Sequence, residues 1–246
     1  MKKTGVFGLG RKALAVYIGA SMSRNSVPRM RGYIFPNGKY IFIPQVSDDQ
    51  HAPGPTYRDL NLDDYVHPSY YGVKVHYDPE FETFTYGEYM GKADPYTKNL
   101  LRLKPNDYLF FITSLQFSPG PYRREWWVKL DWAYYIIGYF EIEEIFNHKD
   151  ISVAVVQHKL RNNAHIIAGD KRPDLVIWKG SERSAKLEYA VPISDKNIPT
   201  SLACEIFKVD LRKKIRPRWW QTYLINENRL EKLWRLIKSI NNIHIF

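Results

Sequence analysis

The chain has 246 residues, a formal net charge of +10 and a single cysteine, and 15% of its residues are aromatic. One cysteine excludes an intrachain disulfide framework, and no apolar run is long enough to cross a bilayer, so a globular protein of a reducing, cytoplasmic setting is expected, with no membrane partner. The positive excess points to an acidic partner such as nucleic acid or a nucleotide, and the aromatic content favours β structure with planar faces for stacking.

The first residues place lysines ahead of a short apolar run, as a signal peptide would, but Lys12 and the glycines interrupt it; Ala13 to Ala20 is expected to be a buried strand. Ser21 to Arg31 reads as a polar, basic loop. Pro36-Asn37-Gly38 between Tyr33–Phe35 and Lys39–Ile43 is a hairpin signal. Residues 45 to 71 read as a long irregular loop, and Val73 to Tyr77 as a short strand. Asp94 as a cap and Pro95 at the first helical position predict a helix over Pro95 to Leu103.

The turn at Pro105 to Asp107 launches an apolar strand, Tyr108 to Leu115. A second strand, Ala133 to Ile145, returns after an insert that carries Arg123, Arg124, Trp126 and Trp127. Further strands are expected at Ile151 to Val156, His165 to Ala168, Leu175 to Trp178 and Leu187 to Val191, while Ala203 to Val209 suits strand or helix. Leu230, Leu233, Trp234 and Ile237 make one stripe of a helix over Asn228 to Ile240. With no repeat and no linker, the chain reads as one α+β domain over residues 1–246. Its core spans residues 13–220, as a curved mixed sheet or a small barrel with peripheral helices, and an amphipathic helix follows at about 226–240.

Catalytic signatures are sparse. Gly5, Gly8 and Gly10 lack the lysine and helix of a phosphate loop, and Cys204 has no cysteine partner for a thiolate zinc site. His76 and Asp78, two apart on a strand, share a face, and with Asp48, Asp49 or His51 they have the donor types for a metal. A polar strand end with its hydrogen bonds satisfied explains the pair without one, so no metal and no cofactor is assigned. Arg172-Pro173-Asp174 ahead of a strand, with Glu188 on another, resembles a PD-(D/E)xK nuclease, but Lys186-Leu187-Glu188 reverses the acid-x-lysine order. Arg123, Arg124, Trp126 and Trp127 form one basic-aromatic cluster, and Arg216, Arg218 and Trp219 another; guanidinium groups grip phosphates and indoles stack on bases. Arg24-Asn25 and Asn163 with His165 are polar pairs beside β-rich runs, suited to base edges.

Taken in order, AVYIGA, SMSRNS, GYIFPNGKYIFIPQ, TYRDL, HYDPEFETFTYGE, LKPNDYLFFITSL, IIGYFEIEEI, HKLRNNAHIIAG and RPRWW resemble the third of the nucleotide-modification-associated domain families. The resemblance runs from about Ala13 to Trp220 and implies an α+β protein tied to base modification of DNA or RNA. It carries over candidate positions Asp78, Tyr86, Asn163 and His165, and no established catalytic residue. The first loop is basic where that family would have glycines and an acid. The strands after the Pro-Asn-Asp turn are also similar, locally, to PUA-like barrels of the ASCH, EVE and YTH groups, which hold a flipped base in an aromatic pocket.

The first reading is a nucleic-acid or modified-nucleotide binding protein, with Arg24, Asn25, Asp78, Tyr86, Asn163 and His165 around the ligand. The alternative is a metal-assisted enzyme using His76, Asp78, His158 and His165. Convergence of His76, Asp78 and His165 in an open cleft would favour the enzyme.

Overall fold

The computed structural model describes residues 10–19, 31–91, 95–118, 130–196, 198–208 and 225–241. Its first strands are β1 (Ala13–Tyr17), β2 (Gly32–Ile34) and β3 (Tyr40–Ile41), followed by β4 (Gln45–Val46), β5 (Val75–His76) and β6 (Thr85–Tyr89). The short helix α1 (Pro95–Leu100) leads into the long central strands β7 (Tyr108–Phe117) and β8 (Trp132–Asn147). Helical turns α2 (Val153–Val155) and α3 (Ala164–Ile167) precede β9 (Leu175–Gly180), β10 (Ala185–Pro192), β11 (Ser194–Asp195) and β12 (Ile198–Pro199), and helices α4 (Ser201–Phe207) and α5 (Glu227–Asn241) follow.

Local chemistry explains the two turns that were legible. Asn37 accepts the Lys39 amide and closes the β2–β3 hairpin. Asp107 accepts the Lys104 amide within its turn at 3.1 Å and the Lys12 amide at 2.8 Å, so the turn that launches β7 also anchors the entry to β1. β1 and β2 then run parallel to opposite ends of β7, Ala13 beside Tyr108 and Gly32 beside Leu115. β8 is the spine: β7 and β10 flank its first half, β9 pairs with its second half, and β6 pairs with β9.

The result is an eight-stranded mixed sheet of order β3-β2-β7-β8-β9-β6, with β1 on β7 and β10 on β8. It is not closed, which corrects the expectation of a PUA-like barrel. Two parallel strands share one edge of β7, and β8 changes partners along its length, so the sheet ends at β3 and β6 instead of returning on itself. The fold is α+β with few helices.

Alternation along β7 feeds two cores. Phe110 and Ile112 face α4 and α5, where Trp234 sits edge-on to Tyr139, Tyr108 and Phe110 at 4.7–5.3 Å between ring centres. Leu109 and Phe111 face the other way, onto Phe81, Tyr86, Phe140 and Trp178. The apolar stripe of the last helix is buried as expected, at Leu230, Leu233, Trp234 and Ile237.

Several expected elements are corrected. Ile151 to Val156 is not a strand: the Ser152 side chain accepts the Val155 amide and starts α2, which runs into a π turn over Val156–Leu160. His165 to Ala168 is helical too, capped by Asn163. Residues 45 to 71 are ordered around buried Tyr57, Leu62 and Val66, with β4 paired to β5. β6 was not anticipated. Of the stretch from Ala203 to Val209, the residues up to Phe207 are helix, as part of α4, which Thr200 caps, and Val209 lies outside the described residues. Among the described residues, no helix is long and apolar enough to cross a membrane.

Candidate metal centre

β4 pairs with β5 so that Gln45 lies opposite His76, and the chain then turns to Asp78. The Asp78 carboxylate reaches the edge of β6, where Oδ2 accepts the Gly87 amide at 3.0 Å. His165 comes from the far side of the sequence. Asn163 Oδ1 accepts the His165 amide at 3.1 Å and the Ile166 amide at 3.4 Å, and its Nδ2 donates to Thr85 Oγ1 at 3.2 Å. One buried amide therefore starts α3 and ties it to β6. The His165 ring then lies close against Gly87, where a β-carbon would come 2.4 Å from its Cδ2. Only glycine leaves room for that contact.

His76, Asp78 and His165 converge. Their donor atoms all lie within 4.8 Å of one another. Asp78 Oδ2 is 3.7 Å from His76 Nε2 and 3.5 Å from His165 Nε2. Ligands of one tetrahedral ion with bonds of about 2.0–2.1 Å lie about 3.3 Å apart, so small inward shifts would complete a site. The Asp78 and His165 side chains are 3% and 5% exposed. Asp78 Oδ1 and His165 Nε2 are buried with no hydrogen-bond partner. Burying such atoms unpaired is costly, so an unfilled valence here points to a ligand. This corrects the expectation that the strand end satisfies its own hydrogen bonds.

The other ring nitrogen of His165 is held from behind. Nδ1 lies 3.1 Å from the Tyr89 hydroxyl and 3.2 Å from Asp170 Oδ2, and the Tyr89 hydroxyl donates to the same oxygen. Asp170 also accepts the Arg172 amide, and the Arg172 guanidinium stacks 3.7 Å over the Tyr89 ring while pairing with Asp174. A carboxylate behind a histidine in this way fixes its tautomer and aims Nε2 forward. Burial opposes charge on the His165 ring, but Asp78 and Asp170 outweigh it and raise its pKa above the ordinary histidine value. Burial likewise opposes ionisation of Asp78, yet its two histidines hold its carboxyl below the usual range.

The cluster opens into a cleft of about 480 Å³ between Tyr17 and Ile18 at the end of β1, the β4 turn with Asp48 and Asp49, and β6 with Tyr86, Glu88 and Tyr89. Tyr86 is among the residues lining it, its ring packed on Phe111 and Trp178 and its hydroxyl donating to Glu88 at 3.1 Å. Four other residues singled out in the sequence lie elsewhere. Asn163 is fully buried as a helix cap and is not placed to read a base edge. His158 is exposed on the π turn and borders a separate hollow with Lys159 and Lys179. Asp174 and Glu188 of the nuclease-like pattern pair separately with Arg172 and Lys39. Arg24, Asn25, Arg123, Arg124, Trp126, Trp127, Arg216, Arg218 and Trp219 lie outside the described residues.

Tyr89, Gly87 and Asp170 escaped notice in the sequence. Thr85, Tyr86 and Tyr89 carried a β signal, but Gly87 and Glu88 interrupted it, and nothing in the chain near Asp170 marks it as a partner of His165. Asn163→Ala should lower stability by about 1–2 kcal/mol through the lost cap and the lost hydrogen bond to the Thr85 hydroxyl. Chemical denaturation would measure this; unchanged stability would mean that Asn163 does not hold α3.

A family model described as nucleotide modification associated domain 3 matches residues 12–233. The chain belongs to this family. The match runs from the residue before β1 into α5, so every element of the nucleotide modification associated domain that lines the cleft falls within it. The family description agrees with the resemblance drawn from the ordered motifs and links the chain to nucleotide modification. No such support exists for the PUA-like similarity. Comparison with curated proteins and with solved structures returned no match.

Proposed function

We propose that the cleft is the active site of a metal-dependent enzyme of nucleotide modification, with His76, Asp78 and His165 as ligands of one divalent cation. The observation that carries this reading is the convergence of two imidazoles and a carboxylate, with a buried oxygen and a buried nitrogen both lacking partners. Three protein ligands leave coordination positions open, where an ion polarises a bound group or lowers the pKa of a bound water. Asp170 and Tyr89 would orient His165, and Glu88 stands at the wall, within the cleft, as a group able to move a proton.

The alternative, a reader that sandwiches a base between aromatic rings, has less support. Among the described residues, the tyrosines at the cleft are engaged: Tyr17 with Ser114, Tyr86 with Glu88 and Trp178, Tyr89 beneath Arg172. Titration of the chelator-treated protein with Zn²⁺, Mn²⁺ or Fe²⁺ tests the proposal. One equivalent should bind, and His165→Ala should abolish that binding. No saturable site, or a site indifferent to His165→Ala, would refute it.

A further inference from the structure

Among the described residues, the charged side chains that line the cleft are opposite in sign to the net charge of the protein. Asp48, Asp49 and Glu88 join Asp78 and Asp170 in its lining, and no lysine or arginine is found there among the described residues. The nearest guanidinium that the site's own network holds, Arg172, is turned onto the Tyr89 ring and bound by Asp174. Arginine and lysine are matched one for one by aspartate and glutamate across the described residues, so the whole +10 belongs to the remaining segments. Those segments hold Arg24 and Arg29, Arg123 and Arg124, and the run from Arg212 to Arg218.

We infer that the cleft admits an uncharged, N–H-donating part of its substrate, such as a base with an exocyclic amino group, and turns phosphate away. This rests on the proposed metal centre and names the substrate class it serves. Even with a doubly charged ion bound, the five carboxylates outnumber its charge in the described lining of the cleft. In a partly enclosed space, a phosphate dianion meets that field at low dielectric, where repulsion is strongest. Carboxylates instead accept from amino groups, as acidic side chains do from cytosine N4. Asp78 Oδ1 and His165 Nε2, buried and unpartnered, mark the end of the cleft where such a group would meet the ion. Phosphates of a polynucleotide would then be left to the basic segments, whose charge the described lining of the cleft does not share.

The test uses the full chain. Zinc is titrated first, with the histidine ring resonances of His76 and His165 as the readout. The four deoxynucleosides and their 5′-monophosphates are then titrated into the loaded protein. At least one nucleoside should shift both rings, and its monophosphate should need roughly tenfold higher concentration to do so. Asp48→Asn combined with Asp49→Asn should narrow that gap roughly threefold to tenfold. A monophosphate that acts on the rings as well as its nucleoside, nucleosides that move neither ring, or a gap indifferent to the double substitution would each overturn the inference. Failure of the initial zinc titration would instead bring down the metal centre itself, so the two failures are distinguishable.

Discussion

Asp78→Asn is expected to lower the affinity for a divalent cation by about 100-fold or more while leaving the fold intact. Changing groups that merely orient a metal ligand costs 10–100-fold, and Asp78 would be a ligand itself. The amide keeps the shape of the side chain and an oxygen able to accept the Gly87 amide, so the edge of β6 remains tied. What disappears is the charge between His76 and His165, two rings that pack edge-to-face at 4.6 Å and would face the ion without an anion between them. Calorimetric titration against the unaltered chain measures the change. An affinity within about threefold would remove Asp78 from the site.

Trp234→Ala should be the most damaging single change to stability away from the cleft, at about 3–5 kcal/mol. The indole is 2% exposed and packs edge-on against three aromatic rings of the central sheet. Its loss leaves a cavity between helix and sheet that rigid strands cannot fill. A chain of this length should lose about 10 °C in melting temperature. Thermal unfolding by circular dichroism would show it, and a shift of only one or two degrees would mean that α5 is an appendage and not part of the core.

The elements that the sequence made legible are those whose signal is local and long. Tyr108 to Leu115 and Ala133 to Ile145 are long stretches rich in aromatic and β-branched residues, and both are strands, each longer than expected. The Pro-Asn-Gly hairpin and the stripe of α5 follow from the same kind of local pattern. Ile151 to Val156 and His165 to Ala168 misled because β-branched residues favour strands, whereas Ser152 and Asn163 bring capping bonds that a propensity pattern does not weigh. The pairing of His76 with Asp78 was visible as a spacing of two. Their meeting with His165 was not, since it depends on β6 lying between them and on Gly87 having no side chain. The basic-aromatic clusters that first suggested nucleic acid fall outside the described residues, and the cleft is instead acidic.

The two walls of the cleft hang from opposite halves of one strand. Ile18 and Tyr17 reach β8 through β7, at Ile112 and Ile136; Tyr86 reaches it through β9, at Trp178 and Ile145. Between those halves the register slips, next to Gly138, and the space that a side chain there would take is filled by Phe81, 2.4 Å from where its β-carbon would stand. Phe81 lies three residues beyond Asp78. A register slip of this kind bends a strand, so the irregularity in β8 acts as a caliper: it sets how far apart the jaws stand, and the phenyl ring seated beside it fixes where the carboxylate between them is held.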